Sequence, residues 1–324
     1  GERGVSASAE MFQTLLAFPI KVTFLTFSLV YIICKLKRKY SIWSSKAHML
    51  KGKVALITGG SSGLGEALAH ALYKCGCKVI IAARSIDELH RVKRELLDSN
   101  CDNAFEPKIL SLDLQDLQNI PAKAKEAIEM YGPIDILINN AGVSNRGTVE
   151  GTDVDVYQRV MTVNFFGQIA LTKEIMIPMI EKKSGHIVVI SSVQGKMSIP
   201  FRSAYSASKH ALQAFFDSLR AELSGKGINV CVISPGYINT SLSVNALTGS
   251  GSKYGILDKN TASGMDPFTV ANYIVDCIVA KEEEVVIAPS YVKLAIILRT
   301  LLPDIYFKIM SKRAEKGYKE MKKE

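Results

Sequence analysis

One pattern recurs along the chain. A short, unbroken apolar run meets a polar or glycine-rich break, and a stretch with apolar residues every three or four positions follows. The runs fall at residues 53–58, 78–83, 134–138, 187–191, 228–234 and 284–288, with a further one closing at Leu112-Asp113-Leu114. Continuous rather than alternating apolar character marks strands buried on both faces, as in a parallel sheet. After the first run, Ala67, Leu68, Ala71 and Leu72 share one helical face. This alternation predicts an α/β fold: a doubly wound parallel sheet of about seven strands, in a single domain over residues 51–290.

Two segments lie outside the pattern. Residues 1–50 contain a stretch from Met11 to Cys34 whose only charge is Lys21, halted by Lys35, Lys37, Arg38 and Lys39. A membrane-spanning helix needs about 20 mostly apolar residues, so residues 18–34 read as a short single-pass signal-anchor. A cleaved signal peptide is the rival reading, although no small-residue cleavage site follows. A short span suits a thin bilayer such as the endoplasmic reticulum, with the peroxisome as an alternative. The basic flank places the following domain on the cytosolic side. Residues 291–324 carry an apolar stretch broken at Pro303 and then a basic tail. They read as amphipathic helices resting on the domain or on a bilayer surface.

Composition narrows the classes. The chain has 324 residues, 48% of them hydrophobic and 22% charged, which supports a large packed core and excludes bulk disorder. The net charge of +9 is concentrated at the two ends, with no Asp or Glu between Met11 and Gly65. Nucleic acid and membrane headgroups both answer to basic segments; the adjoining apolar run favours headgroups. The six cysteines show neither metal-ligand spacing nor a disulfide framework, and no metal site is expected.

The chemistry-bearing residues sit where the strand runs end. Thr58-Gly59-Gly60-Ser61-Ser62-Gly63-Leu64-Gly65 joins the first strand to the first helix. Glycines there admit a pyrophosphate close to the backbone, and the helix N-terminus favours its charge. This predicts a Rossmann-like dinucleotide site. Arg84 follows the second strand where an acidic residue would repel a 2′-phosphate, which favours NADPH over NADH. Asp113 offers an acceptor to an adenine amino group, or caps a helix. Asn139-Asn140-Ala141-Gly142 lies above the fourth strand, on the edge where cofactors bind in such sheets. Farther on, Tyr205 and Lys209 stand four residues apart on one helical face. An ammonium one turn away is expected to lower the phenol's pKa, so that Tyr205 gives and takes protons. Ser192, or else Ser191, ends a strand and is placed to hydrogen-bond a carbonyl oxygen as charge builds.

These motifs in order, with Asn164 and with Pro235-Gly236 followed by Thr240, make residues 51–290 resemble the short-chain dehydrogenase/reductase superfamily. The runs from Gln194 to Tyr205 and from Ser234 to Thr240 look most like its membrane-associated "dehydrogenase/reductase member seven" subgroup, B-type. The resemblance implies that Lys209 also holds the nicotinamide ribose and that Asn164 supports a water relaying protons to Lys209. It implies further that Thr240 and the Ile238 backbone contact the cofactor, and that copies associate through the helices carrying Asn164 and Tyr205. Residues 241–266 read as a mobile lid, and Met197, Phe201, Tyr237 and Tyr254, with Leu242, as an apolar substrate lining. A lipophilic carbonyl or alcohol follows: a steroid, a retinoid or a lipid ketone, with Lys196, Arg202 and Lys253 leaving room for a phosphate on the last. The alternatives are a nucleotide-binding scaffold or redox sensor without turnover, and a nucleic-acid binder. The intact Asn164, Ser192, Tyr205 and Lys209 set argues against both.

Overall fold

The computed structural model describes residues 48–99 and 105–321 together with Lys46 and Cys101. The chain divides into two units, 1–46 and 47–324. The expected signal-anchor at 18–34 lies outside the described residues, and among those described no helix is long and apolar enough to cross a membrane.

The second unit is built on seven parallel strands. They are β1 (Val54–Thr58), β2 (Lys78–Ala83), β3 (Lys108–Ser111), β4 (Ile136–Asn139), β5 (Gly185–Ile190), β6 (Ile228–Pro235) and β7 (Glu284–Ile287), in the spatial order 3-2-1-4-5-6-7. The expected doubly wound parallel sheet is therefore present. Its order reverses direction beside β1, between β1 and β4, where such sheets leave a crevice at their carboxyl edge. β3 ends at Ser111, before the predicted Leu112-Asp113-Leu114, although the Leu112 amide still bonds the Ala83 carbonyl of β2.

Ten α-helices after β1 accompany the sheet. They are α1 (Gly63–Lys74), α2 (Ile86–Leu97), α3 (Ile120–Tyr131), α4 (Val154–Met161), α5 (Gly167–Lys182), α6 (Ser203–Glu222), the single turn α7 (Lys259–Ala262), α8 (Pro267–Val279), α9 (Ser290–Leu301) and α10 (Pro303–Met321). α3, α5 and α6 bury Ala124, Leu171, Ile175, Leu212 and Phe216 against Leu56, Leu137, Ile187 and Val232 of the sheet. α1 and α8 lie against each other. Pro303 stops α9 and starts α10, since proline cannot donate to a helix interior but suits a first turn.

Candidate active site

The turn after β1 is shaped by its glycines. Gly59 has φ +66°, and a Cβ there would stand 2.9 Å from the Ala141 Cα. A Cβ on Gly65 would lie 2.1 Å from the Gly59 carbonyl oxygen, so only glycine lets α1 approach the strand end. Thr58 ties this turn to the loop after β4. Its hydroxyl donates to the Ile138 carbonyl (3.2 Å) and accepts from the amides of Asn140 (3.0 Å) and Ala141 (3.1 Å). The Asn140 side chain returns a bond to the Thr58 carbonyl at 2.9 Å. Arg91 on α2 donates to the Ser61 carbonyl (3.2 Å) while paired with Glu66, a brace the sequence pattern did not reveal. Ser62 caps α1 without a side-chain hydrogen bond, leaving the first-turn amides open to an anion. Glycines that exclude any Cβ, beside uncapped helical amides, fit a dinucleotide pyrophosphate.

Around that turn, the Gly60 amide bonds the Ala82 carbonyl at 3.1 Å, and exposed Arg84 stands two residues beyond. Asp113 is exposed as well and accepts from the Gln115 amide at 3.0 Å. Thr240 flanks Gly63, where a Cβ would stand 3.0 Å from its Cγ2. Pro235 ends β6 and the Gly236 amide bonds the Ile287 carbonyl. Ile238 bridges to Met265.

At the carboxyl ends of β4 and β5 the structure brings the tetrad together. Between α4 and α5 the helix widens to a π turn over Thr162–Phe166, which carries buried Asn164. Its side chain is fully engaged: Oδ1 accepts from the Val143 amide (2.8 Å), and Nδ2 donates to the Val143 carbonyl (2.8 Å) and to Ser208 Oγ (2.9 Å). Asn164 thus couples the loop after β4 to α6. Lys209 Nζ donates to the Ile190 carbonyl at 2.8 Å and stands 5.7 Å from the Tyr205 ring centroid. Ser192 Oγ accepts from the Gln194 amide at 3.1 Å and is hydrogen-bonded to Tyr205. Ser191 is committed elsewhere, donating to the Lys209 carbonyl and accepting from Gln213. His210 turns its Nδ1 back to the Ser206 carbonyl.

The electrostatics depart from the sequence expectation. Burial raises the Tyr205 pKa; the Ser192 hydrogen bond and then the charges of Arg202 and Arg146 oppose it, and Lys209 is not among its main determinants. Burial also brings Lys209 itself down to about 7, so here the lysine is no strong fixed cation.

The two arginines were not legible as a pair. Arg146, in the loop after β4, and Arg202, just before α6, both grip the Asp258 carboxylate, at 2.9 Å from Arg146 Nε and 2.9 Å from Arg202 Nη2. All three side chains are nearly buried. Two guanidiniums against one carboxylate leave an excess positive charge beside Tyr205. Arg146 also lies over the Tyr254 ring and Arg202 over that of Tyr237. The pairing ties Asp258, in the segment expected as a lid, to the loop after β4 and to the start of α6. Leu247 of that segment exchanges backbone hydrogen bonds with Ser144 and Arg146, and Ser243, Ala246 and Thr261 are buried. Met197 packs into a cluster with Val193, Tyr306 and apolar residues of α9. Phe201, at φ +65°, stacks edge-on with Tyr318 of α10.

A glycine turn at the carboxyl edge of a parallel sheet, facing a Ser–Tyr–Lys cluster, is the architecture of a nicotinamide-dependent oxidoreductase acting on CH–OH groups. A family model for short chain dehydrogenases matches residues 53–250, and the chain belongs to the short-chain dehydrogenase/reductase family. It is 55% identical over 269 residues to a Drosophila melanogaster "dehydrogenase/reductase SDR family protein 7-like", covering 83% of this chain and 82% of that one. To the Mus musculus "dehydrogenase/reductase SDR family member 7B" it is 48% identical, covering 85% of each. A short-chain dehydrogenase/reductase from Burkholderia phymatum, solved with NAD, shares the fold at a TM-score of 0.69 and 24% identity, over 80% of this chain and 96% of that one. An actinorhodin polyketide ketoreductase solved with NADPH matches at 28% identity and a TM-score of 0.64, over 73% of this chain and 95% of that one.

Proposed function

We propose that this chain is an NADP-dependent oxidoreductase that interconverts a carbonyl and an alcohol on a lipophilic substrate. The observation that carries the reading is the buried Tyr205 hydroxyl, bonded to Ser192, with Lys209 one helical turn on and the glycine turn on the same sheet edge. Thr58, Gly59, Ser61, Ser62, Gly63, Leu64 and Gly65 would hold the dinucleotide pyrophosphate, with Asn140, Ala141, Gly142, Pro235, Gly236, Ile238 and Thr240 around it and Asp113 toward the adenine. When bound, the nicotinamide supplies or accepts the hydride. Exposed Arg84, beside the glycine turn and with no acidic residue in its place, supports NADP over NAD.

Tyr205 gives its proton to the substrate oxygen in reduction and removes it in oxidation. Ser192 hydrogen-bonds that oxygen while negative charge grows on it. Lys209 would hold the cofactor ribose, and Asn164 ties Ser208 of α6 to the loop after β4. Tyr237, Tyr254 and Phe201 face the lipophilic part of the substrate. The excess charge of Arg146 and Arg202 favours a lipophilic carbonyl that also bears an anionic group. The apolar sequence at 18–34 supports placing this chemistry at a membrane, the endoplasmic reticulum first among candidates.

The test is full-length protein assayed with NADPH and NADH in parallel on a panel of steroid, retinoid and lipid ketones. NADPH should be consumed in preference. Tyr205→Phe should lower kcat by about a hundredfold or more while NADPH binding survives. Unchanged turnover in that variant would overturn the reading.

A further inference from the structure

α10 has two working sides. Tyr306, Met310, Arg313 and Gly317, spaced as one helical face, turn to the domain. Tyr306 is buried and donates to the Ser198 carbonyl, Met310 packs on the Val193–Met197 cluster, and Gly317 lies against the Phe201 ring. Arg313 donates to the Tyr237 hydroxyl at 3.3 Å. The inner side therefore touches residues that border the substrate site. The other side carries Ile305 and Ile309, which are 48% and 47% exposed, and Leu302, just before the helix, is 52% exposed. α9 adds Tyr291, Leu294, Ile297 and Leu301, all exposed at helical spacing. Soluble surfaces seldom gather so many large apolar side chains on one hairpin.

The occupant of this face is indicated by charge. The outward stripe of Ile305 and Ile309 continues as Lys312 and Lys316, and residues 290–321 hold seven basic side chains against three acidic ones. An apolar face that runs into lysines matches the acyl–headgroup boundary of an anionic bilayer; a second copy of the same basic surface would repel it. At 12 residues α9 is too short to span a bilayer, so the geometry is that of a hairpin lying in the interface.

We propose that the outer face of α9 and α10 docks on an anionic lipid surface, with α10 then lying between that surface and the Tyr237 side of the proposed active site. The second half rests on the function proposed above; the first does not.

Full-length protein on phosphatidylcholine–phosphatidylserine vesicles doped with a diazirine-bearing acyl lipid tests it without turnover, by mapping carbene adducts on peptides. Adducts are expected on Leu294, Ile297, Ile305 and Ile309, and more with phosphatidylserine than without. Ile305→Asp combined with Ile309→Asp should cut hairpin adducts about tenfold. It should also raise KM for a vesicle-borne ketone while leaving kcat/KM for a short, water-soluble ketone unchanged. Labelling of this face by a water-soluble carbene reagent instead would overturn the docking. So would protection from both reagents, which would mean that protein, either a second copy or residues 11–34, covers the face. Lipid adducts on the hairpin with no ketone turned over would leave docking standing and refute the enzymatic reading alone.

Discussion

Lys209 is 3% exposed, with its Nζ on the Ile190 carbonyl, and burial brings its pKa down to about 7. The unfolded side chain titrates near 10.4. Between about pH 7 and that value the folded, cofactor-free protein therefore binds fewer protons than the unfolded chain, and its stability rises with pH. An anionic dinucleotide placed beside this amine favours the ammonium. NADPH binding at pH 8 is therefore expected to take up a proton, and affinity should weaken as pH rises above about 7. Isothermal titration calorimetry in two buffers of different ionisation enthalpy measures the uptake directly. Lys209→Met should abolish it, and uptake persisting in that variant would assign the proton elsewhere. Lys209 and Tyr205 could be paired from sequence because helix geometry fixes what lies four residues apart. Arg146, Arg202 and Asp258 could not, because Arg146 and Asp258 are 112 residues apart and meet only where the loop after β4 packs against residues 241–266. The tyrosine's net shift was misjudged for a related reason. Spacing along a helix reports the neighbouring cation but not the depth of burial that opposes it.

At the scale of elements, the strands were legible because burial on both faces writes itself as an unbroken apolar run, as in β2 and β6. The π turn at Thr162–Phe166 had no such signature, since Thr-Val-Asn-Phe-Phe also suits an ordinary helix. The C-terminal hairpin was only half legible. Pro303 announced the break, but the apolar residues of 291–310 divide between a buried and an exposed side by contacts made from Val193, Met197 and Ser198. Tyr306 is the pin. It is 2% exposed, its ring fills the cluster between Met197 and α9, and its hydroxyl satisfies a backbone carbonyl. Tyr306→Ala should weaken docking of the hairpin by about 3–5 kcal/mol, the usual cost of emptying an aromatic site. Because α9 and α10 lie outside the sheet, that loss should appear as local opening. Hydrogen exchange should quicken across 290–321 while peptides containing Phe216 keep their protection. Equal acceleration in both regions would show that the hairpin and the sheet unfold as one unit.

The molecule as a whole carries an acid-sensitive group at the amino edge of its sheet. His186 lies on β5, between β4 and β6, is buried, and has an Nε2 with no hydrogen-bond partner among the described residues. Burial first, and the charge of Lys281 second, bring its pKa from an ordinary 6.5 to about 4. An unfolded chain takes the proton near pH 6.5 and the folded chain only near 4. The unfolded state thus binds more protons throughout that window, and stability falls as pH falls through it. The full descent costs roughly 3 kcal/mol, a large share of a typical domain's margin. The ring is buried at the start of a strand paired on both sides, so the cost is expected to fall on global unfolding. Urea unfolding of wild type and His186→Leu at pH 7 and pH 4 isolates the effect, because carboxylates titrate equally in both. At pH 7 the variant should match or slightly exceed wild type, having lost an unpaired buried nitrogen. At pH 4 it should be more stable than wild type by about 2–3 kcal/mol. Parallel losses in the two proteins would place the acid sensitivity outside the sheet, with Asp135, whose carboxyl is held low by the Val54 amide and by Lys182 and Lys53, as the next group to replace.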